Sequence, residues 1–149
     1  MCNLNGSLIL GVCLLCGCGF SLQKPCAPTG IYDLTCKVTS ISPATIYVGD
    51  KVVFSYSVSN LGSSTLPART YDVDFYVNGS LVSFDHATSS LIAGGSTSYS
   101  MEPPYYHFDA KAPGQYSYKL LVDPTNRVPE TDENNNVVVG SFVVNPKVP

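Results

Sequence analysis

Apolar and polar side chains alternate along several short segments of this chain, and that alternation restricts the fold more than any other feature. In "KVVFSYSVSN" (51–60) and in "TYDVDFYV" (70–77), every second residue is apolar. A period of two places one side of an extended strand against a dry interior and the other side in water. The positions predicted to face inward are Val52, Phe54, Tyr56, Val58, Tyr71, Val73, Phe75 and Val77.

Turn-forming residues separate these segments at intervals of roughly ten to fifteen residues, as in all-β sandwiches. Asn78-Gly79 predicts a type I′ hairpin, because both residues tolerate a positive φ. Further strands are expected in "DLTCKVTSI", "STSYSM", "QYSYKLLV" and "VVVGSFVV", and no segment has the 3.6-residue period of a helix. Residues 33–145 are therefore predicted to form an all-β, immunoglobulin-like antiparallel sandwich of about seven to eight strands.

The first 25 residues differ in character from the rest of the chain. They carry no charge before Lys24, and their apolar centre spans Leu8 to Leu15. This centre is too short to cross a bilayer of roughly 30 Å, but it has the length of a signal-peptide core. Leu15-Cys16-Gly17-Cys18 resembles the lipobox of bacterial lipoproteins, although Lys and Arg are missing upstream. The resemblance implies a signal peptide over 1–17 and Cys18 as the lipidated N-terminus. Residues 18–32 are then expected to form a tether before the sandwich, and residues 146–149 a tail after it.

All six cysteines lie within the first 36 residues. Cys13 and Cys16 form a CxxC motif, but their apolar, histidine-free surroundings argue against a metal site. If Cys18 is acylated, an oxidising compartment favours a disulfide between Cys26 and Cys36. The alternative is a free Cys36 that packs as a small hydrophobic side chain.

The chemically densest stretch is "VDPTNRVPETDENNNVVV" (122–139), referred to below as the acidic loop. Asp132, Asn134 and Asn136 match the start of an EF-hand, but Val137 replaces its glycine and Val143 its bidentate glutamate. Three alternatives remain: a non-standard Ca²⁺ site, a rigid turn held by Asn and Asp side chains, and a direct partner-binding loop. The candidate residues are Asp123, Asn126, Glu130, Asp132, Glu133, Asn134 and Asn135.

Charge and motif content exclude several functions. A net charge of −3, a pI near 5.1 and scattered Lys and Arg leave no basic surface for nucleic acid. The only histidines, His86 and His107, belong to no metal-binding or nucleophile motif, so no enzyme is predicted. Apart from the calcium alternative, no cofactor is expected.

Four tyrosines attract attention because of their positions. Tyr105 and Tyr106 in "PPYYHF" either contact a partner or cover the open end of the sandwich. Tyr116 and Tyr118 either fill the core or supply a tyrosine corner, with one hydroxyl bonded to the backbone near residues 109–113.

The order of these segments resembles the CARDB family, the cell-adhesion-related domains of bacteria, over residues 33–144. The acidic loop carries the most specific part of the resemblance, and Val58-Ser59-Asn60-Leu61-Gly62 a weaker part. The resemblance implies an immunoglobulin-like, non-catalytic domain on an exported protein that functions in adhesion or in binding other molecules at the cell envelope.

Together these features predict a lipid-anchored protein in the periplasm or on the cell surface. Its expected partners are the membrane, through the lipid anchor, and an envelope protein or polysaccharide. The alternative is a passive spacer or an accessory subunit of an envelope complex that has no ligand of its own.

Overall fold

The structure, a computed structural model, describes residues 30–101 and 107–147 and contains no helix within them. Accordingly, no helix in those ranges is long and apolar enough to cross a membrane. The strands are β1 (Leu34–Ser42), β2 (Ile46–Tyr47), β3 (Lys51–Asn60), β4 (Asp72–Val77), β5 (Ser80–His86), β6 (Ser96–Ser100), β7 (Phe108–Asp109), β8 (Gly114–Val122) and β9 (Val137–Asn145). The all-β prediction is confirmed, and the two-residue strands β2 and β7 raise the count to nine.

Two sheets form the sandwich. The four-stranded sheet has the order β1-β3-β6, with β7 pairing to the other end of β3, and the five-stranded sheet has the order β2-β9-β8-β4-β5. Every pairing is antiparallel except the short parallel pairing of β2 with β9. The predicted antiparallel sandwich is confirmed, while the predicted signal peptide and most of the tether lie outside the described residues.

The core lies between the sheets and contains the predicted inward stripes. The eight predicted residues of β3, β4 and Tyr71 are each at most 2% exposed. Phe54 on β3 and Phe75 on β4 meet across the two sheets, with ring centroids 4.5 Å apart. The alternation in the sequence therefore located the buried face of both sheets.

Two predicted local features are also present. Asn78 and Gly79 connect β4 to β5 with φ values of 47° and 78°, which confirms the hairpin. The Tyr116 hydroxyl donates to the carbonyl of Ala112 at 2.9 Å, which is the predicted tyrosine corner. Tyr118 instead stacks on Phe75 in the core at 5.9 Å, so the two tyrosines take one role each.

The sandwich has two distinct ends. At the first, here called the tether end, the chain enters β1 and Tyr32 pairs with Glu130 of the acidic loop. At the opposite end, here called the far end, β3 begins beside β7 with Lys51 opposite Asp109. Tyr105 and Tyr106 lie outside the described residues, between β6 and β7 in the chain.

Candidate functional site

The acidic loop is bound to the residues through which the chain enters the domain. Thr131 donates to the carbonyl of Tyr32 twice, from its backbone N–H at 2.8 Å and from its hydroxyl at 3.0 Å. The Asn135 amide donates to the Asp33 carboxylate at 2.7 Å. The loop and the first residues of the domain therefore form one hydrogen-bonded unit.

Glu130 lies at the centre of this unit. Its half-buried carboxyl accepts hydrogen bonds from the Leu34 N–H and, at 2.7 Å, from the Asn136 side-chain amide. Burial raises the pKa of Glu130 to about 7, although both hydrogen bonds act in the opposite direction. The neighbouring carboxylates of Glu133 and Asp123 add to the increase in pKa. Glu130 therefore changes its protonation state near neutral pH.

Asp123 forms the first turn of the loop. It has a φ of 47° and its Oδ2 accepts from the Val128 N–H at 2.7 Å, and Asn126 also has a positive φ of 48°. Arg127 contacts Asp72 of β4 at 2.5 Å and lies 4.0 Å from Asp123. The contacts of Asp123 within the loop are the short-range kind by which Asp side chains build a rigid turn, and the Arg127–Asp72 pair ties this turn to β4.

The remaining predicted loop residues also bond within the loop. Asp132 accepts from the backbone N–H of Asn134 at 2.9 Å, and Glu133 accepts from that of Glu130 at 2.9 Å. The buried oxygens without a partner here are Asp123 Oδ1, Asn135 Oδ1 and Asn136 Oδ1. Ca²⁺ requires six to eight oxygens, and the described residues contain no group of three or more His, Cys, Asp and Glu placed to hold a metal. The loop side chains are arranged as a hydrogen-bonded turn, and a calcium site in the loop stays a prediction.

Cys36 is a buried free cysteine within the described part of the chain. Its Sγ lies 3.5 Å from the carbonyl oxygen of Asn136. Burial raises the pKa of this thiol to about 11, against a smaller opposing effect of a backbone hydrogen bond at Val138. Cys18 and Cys26 lie outside the described residues, so lipidation and the disulfide stay predictions.

The two histidines lie at opposite ends of the sandwich. At the tether end, His86 Nδ1 is 2.6 Å from Asp72. At the far end, His107 Nε2 is 2.7 Å from the Lys51 amine and 3.2 Å from Asp109. The histidines therefore share no site. Tyr105 and Tyr106 precede His107 but lie outside the described residues, and their partner contact stays a prediction.

One surface was missed by the sequence reasoning, and we call it the outer apolar face. It lies on the solvent side of the five-stranded sheet and exposes Val137, Val139, Val143, Leu81 and Phe84. The strand register aligns Val139, Lys119, Tyr76 and Leu81 in one row across β9, β8, β4 and β5. Lys119 of β8 and Asp74 of β4 lie on the same face between the exposed apolar residues of β9 and those of β5. Clustered exposed apolar side chains mark an interaction site more often than isolated ones do. The sequence feature that could have indicated this face is the run Val137-Val138-Val139, because both alternate positions, Val137 and Val139, are apolar.

The sandwich, with its tyrosine corner and its loops held by side-chain hydrogen bonds, defines an immunoglobulin-like module. The CARDB family model matches residues 31–140. The chain therefore belongs to the CARDB family, which is cell-adhesion-related and non-catalytic.

Several solved structures are similar to this chain. The crystal structure of a CARDB domain from Pyrococcus furiosus, in complex with di-metal ions, has 26% identity and a TM-score of 0.66 over 80% of this chain and 99% of that one. The solution structure of a CARDB domain from the same organism has 27% identity and a TM-score of 0.64, covering 78% and 97%. A domain of a protein assigned to the cell surface of Methanosarcina acetivorans shares the fold, with 23% identity, a TM-score of 0.55 and coverage of 76% and 92%. The comparison with curated proteins found no match.

Proposed function

We propose that this protein is an exported, lipid-anchored, non-catalytic domain that binds an envelope protein or polysaccharide in the periplasm or at the cell surface. The observation that carries the binding role is the outer apolar face, where Val139 is 70% and Val143 57% exposed. A passive spacer has no need for exposed valines on a strand, whereas a binding surface gains free energy by covering them.

The position of the tether supports the anchoring part of the proposal. The chain enters the sandwich beside the acidic loop, and the segment from Cys18 to Gly30 spans at most about 40 Å when fully extended. Acyl chains on Cys18 would therefore hold the tether end close to the membrane, and two or three chains bind far more durably than one. The outer apolar face runs along the side of the domain and stays accessible to a neighbour in the envelope.

Replacing Cys18 with alanine is expected to abolish fatty-acid labelling and to release the protein from the membrane fraction. The thiol of Cys18 is the proposed acylation site, so no other residue replaces it. Metabolic labelling with a fatty-acid analogue, followed by fractionation, measures both effects. Cys26→Ala is the matched control and keeps the label; equal labelling of Cys18→Ala and wild type would remove the anchor from the proposal.

Replacing Val139 with aspartate is expected to lower partner capture at least about tenfold, because a charge would have to be desolvated at the centre of the interface. The bait is the purified protein, and capture from envelope fractions is quantified by mass spectrometry. Thr39→Asp introduces the same charge at an exposed position of β1 and should leave capture unchanged. Equal loss in both variants, or no enrichment by the wild type, would favour the spacer.

Metal binding is not part of the proposal, although the Pyrococcus furiosus domain was crystallised with two metal ions. Each carboxylate of the acidic loop accepts at least one N–H hydrogen bond, as described above. We therefore expect the same melting temperature in excess calcium and in excess chelator. A ligand that binds the folded state at a hundred times its Kd adds about 2.7 kcal/mol. A melting temperature several degrees higher in calcium would thus restore the calcium alternative.

A further inference from the structure

The outer edge of β6 has backbone groups that face away from the sandwich. Within the described residues β6 pairs only with β3. The Asn60 N–H donates to the Gly95 carbonyl at 2.9 Å, and the Met101 N–H donates to the Phe54 carbonyl at 3.0 Å. Hydrogen-bonded pairs alternate along antiparallel strands, so the main-chain N–H and C=O groups of Thr97 and Tyr99 also face β3. The N–H and C=O groups of Ser96, Ser98 and Ser100 therefore point to the open edge.

The other sheet edges carry features that block strand pairing. The bulge in β5 interrupts its register, and the inward Asp85 of that strand accepts a hydrogen bond from Tyr56. The pairing of β1 is irregular after Val38, and the strand carries the exposed Lys37. The remaining edge strands, β2 and β7, have only two residues each. Bulges, inward or edge charges and short strands are the usual protections of exposed edges.

Strand β6 has none of these protections apart from its short length of five residues. Its sequence, "STSYS", contains no charge and no proline. Its register against β3 runs without a shift from Ser55 opposite Ser100 to Ser59 opposite Ser96. An uncharged, regular edge with free main-chain groups is a template for an added strand.

We propose that β6 pairs with β6 of a second copy of this chain, antiparallel and about a two-fold axis at Ser98. In this arrangement Ser98 and its copy exchange both main-chain hydrogen bonds, and Ser96 exchanges them with the partner copy's Ser100. The two four-stranded sheets then continue into each other through their β6 strands.

The side chains around the axis favour an identical strand. Hydroxyl pairs already cross from β3 to β6, with Ser59 to Ser96 at 3.0 Å and Ser55 to Ser100 at 3.3 Å, and the dimer extends this pattern by placing serine opposite serine. Lys37 on β1 is separated from its copy by five strand spacings, about 24 Å. This distance exceeds the Debye length of about 8 Å at physiological salt, so the two Lys37 charges do not oppose the pairing.

The test uses sedimentation equilibrium of the full chain over a range of concentrations, in detergent if acylated. The wild type is expected to show a monomer–dimer equilibrium. Ser98→Pro removes the two central N–H donors without breaking a bond to β3, and should raise the dissociation constant about ten- to a hundredfold. Ser98→Lys and Ser98→Glu each place like charges across the axis and should raise it about tenfold.

An equimolar mixture of Ser98→Lys and Ser98→Glu is the decisive measurement. It should restore association as a heterodimer, because only pairing about an axis at residue 98 brings these two side chains opposite each other. Melting temperatures check that each variant folds, and Thr39→Lys on β1 is the control that leaves the equilibrium unchanged. A monomeric wild type, a dimer insensitive to Ser98 variants, or a mixture that stays monomeric would each overturn the inference. None of these outcomes depends on Cys18 or on capture by the outer apolar face, so the inference and the proposed function fail separately.

Discussion

Replacing Asn60 with alanine is expected to lower the free energy of unfolding by about 3 kcal/mol or more, because several buried polar groups lose their partner at once. Asn60 is fully buried. Its Oδ1 accepts from the Gly62 N–H at 3.0 Å, and its side-chain amide donates to the Ser64 carbonyl at 2.8 Å. Longer contacts of 3.4 Å reach Asp33 N–H and the carbonyls of Leu91 and Ile92. A single side chain therefore holds three loops together at the tether end.

Urea unfolding followed by circular dichroism measures this effect. Ser59→Ala is the matched control. Ser59 precedes Asn60 in the chain, and its hydroxyl is only partly buried and bonds to the Ser96 hydroxyl. Its expected cost is about 0.5 kcal/mol. Asn60→Asp keeps the acceptor but loses the donor, and should also destabilise the domain strongly because a charge is buried without a cation. Equal stability of Asn60→Ala and Ser59→Ala would contradict the assigned role.

Replacing Glu130 with alanine is expected to cost about 2 kcal/mol or more, since the Leu34 N–H and the Asn136 amide both lose their acceptor. The loss should appear first as faster hydrogen exchange at Leu34, because this bond ties the start of β1 to the acidic loop. Exchange at the far end, such as at the Ser117 N–H that donates to Asn78, should change only with global stability. Uniform acceleration throughout the domain would contradict a local tie.

The pH dependence of stability tests the environment of Glu130 more sharply. Its pKa is raised from 4.5 to about 7 in the folded protein, so folding favours the protonated form. The contribution of Glu130 is therefore fully present below pH 4.5 and is lost as the pH rises toward 7. Relative to Glu130→Gln, the wild type should lose about 1 kcal/mol across this window, after allowance for solvent screening of a half-exposed group. A constant difference between the two proteins from pH 4.5 to pH 7 would show that burial does not shift this carboxyl.

The sequence predicted the parts of the fold that depend on local pattern. The alternation in β3 and β4 identified the buried face, and Asn78-Gly79 and Tyr116 behave as their residue types require. The short strands β2 and β7 were not predictable, because two residues carry no period. Likewise, nothing local to Glu130 indicates that it accepts a hydrogen bond from Leu34, which is 96 residues away in the chain.

The functional residues were predicted less well for a related reason. The sequence identified Asn60 only as part of a turn, since the three loops that meet at its side chain are far apart in the chain. The outer apolar face depends on register: Val137 and Val139 point outward while Val138 points inward, and only the pairing with β8 fixes that choice. Long-range pairing, rather than residue type, accounts for both omissions.

The chain enters the domain at the tether end, and β9 leaves it at the far end. A pull between the residues that precede β1 and those that follow Asn145 acts nearly parallel to the strands. The hydrogen bonds between β1 and β3 run perpendicular to that direction, so they are loaded together in shear instead of being peeled open singly. A protein that resists detachment under flow would benefit from this geometry, and single-molecule pulling should reveal a higher rupture force along this axis than across it.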